Sequence, residues 1–129
     1  MSLEPGATAE VSLAVTSDIT ADAMGNRGVH VLATPFLVGL LENAAAAALH
    51  SHIPTGGGSV GTMVEMRHLA ATPAGMTVRA KATPIETDGK RFLFTVEAWD
   101  DAKKVVEGRH ERHVVANLQK FIARAMKKR

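Results

Sequence analysis

The chain has 129 residues, a formal net charge of +2 and no cysteine, and its aromatic residues are one tryptophan and four phenylalanines. This length predicts a single domain over residues 1–129, and the missing cysteines exclude disulfides, thiolate metal sites and a cysteine nucleophile. The basic excess is concentrated in the tail, without the aromatic residues of a nucleic-acid-binding face. The first ten residues lack the basic and apolar segments of a secretory signal, so we expect a cytoplasmic protein.

The first part of the chain predicts a strand followed by a flap. Residues 7–16 alternate between apolar and mostly polar side chains, which is typical of a half-buried strand. Residues 17–30 show no period and contain Gly25 and Gly28, so they are predicted to form a loop or flap.

The longest apolar run, residues 31–53, predicts a helix. Thr34 is a candidate N-cap and Pro35 suits the first helical position, so the helix should extend from residue 34 to about residue 52. It is apolar almost all the way round, as in a helix that is buried on most sides, yet Glu42 lies at its centre. A carboxylate there is costly unless it is paired or used in chemistry, and it argues against a membrane span.

The rest of the chain predicts an antiparallel sheet. Alternating segments joined by short turns predict four strands and a terminal helix, at residues 60–70, 76–83, 91–100, 104–118 and 119–128. The terminal helix should pack down through Phe121, Ile122 and Ala125. The expected fold class is α+β, with an antiparallel sheet of about five strands wrapped around a long central helix. One sheet cannot cover every side of that helix, so we expect a homodimer, with a tetramer as a further alternative.

Three ionisable residues, Glu42, His68 and Arg112, fall on faces that the pattern assigns to the interior. His68 shares its predicted inward strand face with Val60, Thr62, Val64 and Met66. Taken singly, a buried histidine is more often a satisfied core residue, and a buried arginine usually pairs with a carboxylate for structural reasons. The coincidence of all three strengthens the case for a catalytic site.

Thr34 is a fourth candidate, because a hydroxyl at a helix N-terminus can act on a substrate or orient it. Eight residues separate Thr34 from Glu42, which is about 12 Å along one helix. Since they cannot touch within that helix, we expect a site at a dimer interface, with Thr34 and Glu42 contributed by different copies.

No metal or nucleotide site is predicted. His50 and His52 do not share a helix face, and His110 and His113 point to opposite sides of a strand. The glycines at 56–58 lack the lysine and hydroxyl residue of a phosphate-binding loop.

Four stretches resemble those of the hotdog-fold acyl-CoA thioesterases, specifically the fluoroacetyl-CoA thioesterase-like branch. They are residues 33–42, 58–62, 68–75 and 108–112. Each stretch alone is weak evidence, but four in the same order with compatible spacing are fairly specific. The resemblance implies a homodimeric hotdog fold that hydrolyses an acyl-CoA thioester, with CoA as part of the substrate and no cofactor.

The resemblance also implies roles for individual residues. It implies a catalytic set of Thr34, Glu42 and His68, and substrate-binding roles for Gly61, Thr62, Arg112 and Phe36. In the specialised fluoroacetyl enzyme, the segment before the helix carries a phenylalanine that helps to form a lid over the acyl group. The corresponding residues 25–30 have no aromatic side chain, so we expect a broader range of short acyl groups.

The sequence leaves the chemistry of attack open. The nucleophile could be Thr34, Glu42 or a water that Glu42 activates, and His68 could activate Thr34 or water. The oxyanion could be held by the first amides of the helix or by the backbone at Gly61. A hotdog dehydratase or isomerase that acts on acyl thioesters, and a non-catalytic acyl-CoA-binding protein, are the alternatives.

Overall fold

The computed structural model describes residues 8–127, in which a five-stranded antiparallel sheet packs against a long helix. The strands are β1 Ala9–Ala14, β2 Gly58–His68, β3 Thr77–Thr87, β4 Arg91–Trp99 and β5 Lys104–Val115. The helices are α1 Thr34–Ala48 and α2 Leu118–Lys127, and short 3₁₀ turns lie at Ser17–Ile19 and His50–His52. Residues 7 and 128, which belong to the predicted first strand and terminal helix, lie outside the described part.

The strand order is β1-β3-β4-β5-β2, with every neighbouring pair antiparallel. This arrangement confirms the predicted sheet, and α1 contacts all five of its strands. The face toward α1 carries rows of small and apolar residues, and the buried side of the helix has leucines in its first half and alanines in its second half. The buried residues of these rows are Ala80, Ala82, Val96, Ala98, Ala44, Ala45 and Ala48. Small side chains on both surfaces let the helix lie close to the sheet.

The start of α1 is where the sequence predicts it, but the cap differs. Ala33 is the N-cap, Thr34 is the first helical residue, and no side chain caps the helix. The predicted N-cap role of Thr34 is therefore wrong, because its hydroxyl is turned toward another partner. The α-helix ends at Ala48, earlier than predicted, where the amide of Leu49 is shared between two carbonyls and the chain tightens into the 3₁₀ turn.

A β-bulge in β2 changes which side chains face the helix. The register of β2 against β5 shifts between Gly61 and Met63, which leaves Thr62 as an extra residue. Before the bulge, Gly61 faces inward, opposite Arg112. The prediction that Val60 and Thr62 point inward is therefore wrong. After the bulge the alternation holds, and β2 has the predicted inward residues Val64, Met66 and His68.

The terminal helix α2 is attached by its first residue. The Leu118 amide donates to the carbonyl of Gly56, and the Leu118 side chain lies against Gly58. No residue of α2 is buried, and Phe121 and Ile122 are exposed. The predicted packing of Phe121, Ile122 and Ala125 onto the same chain is wrong, because the helix leaves the sheet beyond Leu118. Within residues 8–127, no helix is both long and apolar enough to cross a membrane.

Candidate active site

The first cluster joins the start of α1 to the end of β2. The hydroxyl of Thr34 lies 2.9 Å from Nδ1 of His68. Burial lowers the pKa of His68, and an interaction with the backbone of Ala70 opposes this shift without cancelling it. His68 is therefore neutral near pH 7 and can accept a proton from a hydroxyl. Its other ring nitrogen, Nε2, is buried and has no hydrogen-bond partner among the described residues.

A buried polar contact between Thr72 and Asp100 lies close to this cluster in the fold. The Thr72 hydroxyl donates to the carboxylate of Asp100 at 2.9 Å, and both residues are buried. The carboxylate also accepts the amides of Ala102 and Lys103 at 2.7 and 2.9 Å, which closes the β4–β5 turn. Since the Thr72 carbonyl accepts the amide of Leu32, this network ties the turn to the segment that leads into α1.

The second cluster surrounds the middle of α1. Glu42 pairs with Arg112, whose Nη1 lies 3.5 Å from the Glu42 Oε2 atom. The Arg112 side chain is 9% exposed and that of Glu42 is 40% exposed. The guanidinium also donates from Nε and Nη2 to the hydroxyl and carbonyl of Ser59, each at 3.0 Å. Burial lowers the pKa of Arg112, and the neighbouring Glu42 opposes this shift.

Gly61 fits this cluster because it has no side chain. A Cβ atom there would lie 2.6 Å from Oε2 of Glu42 and 3.3 Å from Nη1 of Arg112. Any other residue would displace the carboxylate, so the glycine leaves room for the Glu42–Arg112 pair. The structure thus brings together three predicted site residues: Glu42, Gly61 and Arg112.

His110 belongs to the same cluster, although the sequence predicted no role for it. It is fully buried, and its Nδ1 lies 2.8 Å from the carbonyl oxygen of Met63. Its Nε2 lies 3.4 Å from Nη1 of Arg112. The sequence signal that could have identified it is its position two residues before Arg112, on the same inward strand face. Burial and, to a smaller extent, the charge of Arg112 lower the pKa of His110, while its bond to the Met63 backbone and the carboxylates of Glu42 and Glu111 oppose this shift.

Two other predicted substrate-binding residues lie elsewhere. Thr62 is on the outer side of the sheet, where its hydroxyl donates to the Glu111 carboxylate at 2.6 Å. Phe36 is 38% exposed on α1 and lines a hollow of about 220 Å³ together with Leu13 and Gly39. Within one described chain, neither residue is bonded to the Glu42 cluster.

A hollow of about 470 Å³ adjoins the second cluster. It lies between the end of α1 and the start of β2, and Arg112, Ser59 and His50 are among its lining residues. A cavity of this size falls within the range of small-molecule sites. Among residues 8–127, no three histidine or carboxylate side chains are grouped so that they could hold a metal ion.

One chain therefore contains two separate halves of the predicted site. Thr34 and His68 form the first half, and Glu42, Gly61 and Arg112 form the second. The halves are linked by eight residues of α1, about 12 Å along its axis. The arrangement offers a neutral imidazole beside a hydroxyl in one place and a partly exposed carboxylate in the other.

Comparison with known proteins gives consistent matches. A family model described as fluoroacetyl-CoA-specific thioesterase (FlK) matches residues 15–118. The fluoroacetyl-CoA thioesterase of Streptantibioticus cattleyicolor is 40% identical over 98 residues, which cover 76% of this chain and 70% of that protein.

Solved structures agree over almost the whole chain. A structure of the fluoroacetyl-CoA thioesterase FlK has a TM-score of 0.90 and 31% identity, covering 100% of this chain and 99% of the other. A hot-dog-like protein from Thermanaerovibrio acidaminovorans has a TM-score of 0.83 at 22% identity, covering 94% and 89% of the two chains. These similarities confirm the predicted hotdog fold.

Proposed function

Because the chain belongs to the fluoroacetyl-CoA-specific thioesterase family, we propose that it hydrolyses short-chain acyl-CoA thioesters to the free acid and CoA. The observation that carries this proposal is the 2.9 Å contact between the Thr34 hydroxyl and the His68 imidazole. A hydroxyl beside a neutral histidine is the arrangement of an activated nucleophile. The proposed chemistry needs only side chains and water, with CoA as part of the substrate.

In the proposed reaction His68 is the general base. It takes the proton of the Thr34 hydroxyl through Nδ1 as the oxygen attacks the thioester carbonyl. The tetrahedral intermediate collapses with cleavage of the carbon–sulfur bond, and the protonated His68 returns the proton to the CoA sulfur. A water molecule, deprotonated by His68, then hydrolyses the acyl-Thr34 ester and restores the hydroxyl.

The oxyanion donor is the Gly61 backbone rather than the start of α1. Pro35 has no N–H group, and the amides of Phe36 and Leu37 already bond to the carbonyl of Ala33. The helix start therefore offers few free donors, whereas a glycine lets a backbone amide approach a substrate closely. Gly61 lies in the Glu42 cluster, so this role requires both halves of the site to meet.

The halves meet in a homodimer. The buried Nε2 of His68 lacks a partner in the described chain, and the partly exposed carboxylate of Glu42 is an acceptor of the right kind. A second copy would place its Glu42 against this nitrogen and hold the imidazole in the tautomer that accepts the Thr34 proton. Buried polar atoms rarely stay unpaired, so the pairing accounts for an otherwise costly feature.

Two surface features support the same assembly. The strand β2 is eleven residues long and lies at the edge of the sheet, where β5 is its only partner among the strands of residues 8–127. Proteins usually cover an edge of this length. The side of α1 that carries Phe36, Asn43 and Ala47 is exposed in one chain. A homodimer can cover both features, and a tetramer stays an open alternative.

The acyl range follows from the flap. Residues 17–30 precede α1 and contain no phenylalanine, tyrosine or tryptophan; Met24 and Val29 are exposed, whereas Ile19 packs against the core. Without a ring to close over the acyl group, the site should accept acetyl, propionyl and butyryl groups and should not be selective for fluoroacetyl. The cytoplasmic location stays a prediction.

The test is thiol release by the purified protein from a panel of acetyl-, propionyl-, butyryl- and fluoroacetyl-CoA. We expect turnover of the first three and no strong preference for the fourth. Mass spectrometry of the products should show free acid and CoA. An intact thioester that has lost water from a hydroxyacyl-CoA would instead identify a dehydratase, and binding of CoA esters without turnover would identify a binding protein.

A further inference from the structure

Each ring nitrogen of His110 lies near a group that can only accept or can only donate a hydrogen bond. Nδ1 lies 2.8 Å from the Met63 carbonyl oxygen, which can only accept a hydrogen bond. Nε2 lies 3.4 Å from Nη1 of Arg112, which can only donate. Nδ1 must therefore carry the proton and Nε2 must accept, so the buried ring is neutral in one defined tautomer.

We propose that His110 is a positioning residue that fixes the guanidinium of Arg112 and, through it, the carboxylate of Glu42. The role rests on the proposed function of Glu42. Arg112 is held along one edge by its two hydrogen bonds to Ser59. The remaining nitrogen, Nη1, carries two hydrogens and lies 3.4 Å from Nε2 of His110 and 3.5 Å from Oε2 of Glu42. Because the guanidinium is a rigid plane, an acceptor on one side of Nη1 helps to fix the orientation of the whole group, and with it the direction of the other Nη1 hydrogen.

The backbone of β2 is shaped around this chain of contacts. The bulge at Thr62 allows Gly61 to lie opposite Arg112 while Met63, the next paired residue, presents its carbonyl to His110. A Cβ atom on Gly61 would lie 3.2 Å from Cε1 of the His110 ring, besides its closer approach to Glu42. The histidine, the arginine and the carboxylate thus converge over one glycine, and moving the ring would move the other two groups.

A purely structural histidine would need only its bond to Met63, which separates the two interpretations. In His110→Asn the side-chain amide can replace Nδ1 as the donor to Met63, but nothing reaches the position of Nε2. In His110→Gln the side-chain oxygen can reach that position and accept from Arg112. The two variants therefore keep opposite halves of the contact.

We expect His110→Asn to lower kcat for acetyl-CoA by about tenfold to a hundredfold, with little change in KM, since a misplaced catalytic group costs up to about that much. His110→Gln should retain a kcat within about threefold of the wild-type value. The double variant His110→Asn with Arg112→Lys should lose no more kcat than Arg112→Lys alone, because His110 acts through Arg112. Full activity in His110→Asn, or a loss confined to His110→Gln, would overturn the proposal.

Nitrogen NMR of the wild-type imidazoles gives a readout that does not depend on turnover. Comparison with His110→Gln assigns the His110 signals. We expect a proton on Nδ1 and an unprotonated, hydrogen-bonded Nε2 at pH 7, and an Nε2–H tautomer or a charged ring would overturn the proposal. If the wild type hydrolysed no acyl-CoA, the proposed function would fail while this measurement still decided the arrangement of His110.

Discussion

The hydroxyl of Thr34 and Nδ1 of His68 lie 2.9 Å apart although 34 residues separate them in the chain. One is the first residue of α1 and the other is the last residue of β2. Their meeting depends on how the end of β2 is packed against the helix start, a relation set by the whole sheet. The distance is within the hydrogen-bonding range required for proton transfer between a nucleophile and its base.

Removing the base should abolish most of the activity. We expect His68→Ala to lower kcat for acetyl-CoA by about 10²- to 10⁴-fold, the usual contribution of a general base. Thr34→Ala should lose a comparable factor, whereas Thr34→Ser keeps a hydroxyl and should retain part of the rate. His113→Ala, which changes a partly exposed histidine on the outer side of β5, is the matched control. Thiol release measures the rates, and wild-type activity in His68→Ala would refute the assignment.

The pH dependence follows from the direction of the His68 shift. His68 must be neutral to accept a proton, and burial lowers its pKa below the ordinary value of 6.5. As the pH falls, kcat/KM should therefore decline with its acid midpoint below pH 6.5. The pKa of His110 is shifted the same way, so His110→Gln should simplify this acid limb. A pH–rate profile with its acid midpoint above 6.5 would contradict the prediction.

Adding one methyl group at position 61 should lower the activity while leaving the melting temperature almost unchanged. The Cβ atom of Gly61→Ala would lie 2.6 Å from Oε2 of Glu42, the mobile end of a side chain. The carboxylate can swing away, and the His110 ring and the Arg112 guanidinium, which would lie 3.2 and 3.3 Å from the new atom, need to give way by only a few tenths of an ångström. The carboxylate then leaves its place beside Arg112. We expect kcat to fall about tenfold or more, with a melting temperature within a few degrees of the wild type. Gly61→Ser should lose at least as much, and unchanged kcat in both variants would show that Glu42 is not needed in this position.

The sheet could be predicted well because each strand alternates over a long stretch. The prediction failed at Thr62, because alternation assumes an unbroken ladder and a single extra residue inverts the faces before it. Gly61 was therefore missed as an inward residue, and Thr62 was assigned inward although its hydroxyl bonds to Glu111 on the outer face. Ser59 was missed for another reason, because the predicted strand began at residue 60. Nothing in the local pattern marks the bulge, which is defined by pairing with a strand some fifty residues away.

The site was predictable in its residue types and only partly in its contacts. Glu42 and Arg112 were both assigned to the interior, and a buried arginine usually pairs with a carboxylate, but the sequence did not predict that these two residues pair with each other. The alternation of β5 places His110 on the same face as Arg112, but its role depends on contacts with the Met63 carbonyl and Nη1 of Arg112, which are tertiary relations. The exposure of α2 was also missed, because an amphipathic pattern predicts that a face is covered without saying which chain covers it.

Asp100 should stabilise the turn behind the first cluster. Asp100→Ala would leave the Thr72 hydroxyl and two turn amides without their acceptor, and we expect a loss of about 1–3 kcal/mol in the free energy of unfolding. Urea denaturation measures this loss. The control is Asp101→Ala. Asp101 is exposed, and its carboxylate accepts a long hydrogen bond of 3.4 Å from the Thr77 amide, so this variant should change the free energy of unfolding by about 0.5 kcal/mol or less.

The same carboxylate gives a prediction for acid conditions. Burial acts to raise the pKa of Asp100, but the two turn amides and the Thr72 hydroxyl outweigh it and hold the pKa below 3.8. Its ionised form is thus favoured in the folded state, so the contribution is complete above pH 3.8 and is lost as the pH falls through the lower folded pKa. The stability difference between wild type and Asp100→Asn should stay constant from neutral pH to about 4 and shrink below it. A difference that disappears already near pH 5 would contradict this cause.

Complementation between inactive variants tests whether the two halves of the site come from different copies. His68→Ala disables the half at the start of α1, and Glu42→Gln disables the half at its middle, so each variant alone should be inactive. In a mixed dimer, one site receives both damaged halves and the other receives an intact His68 from one copy with an intact Glu42 from its partner. Random pairing on co-expression makes about half of the dimers mixed, so about a quarter of the wild-type activity should return.

The matched control is co-expression of His68→Ala with Thr34→Ala. These changes lie in the same half, where Thr34 contacts His68. Every site of the mixed dimer then carries one of the two defects, and no activity should return. Recovery in the first mixture but not in the second would require that Glu42 acts on the Thr34–His68 pair of its partner. If neither mixture recovers although mixed dimers are present, all three residues act within one chain, and α1 would have to break between Thr34 and Glu42 to bring them together.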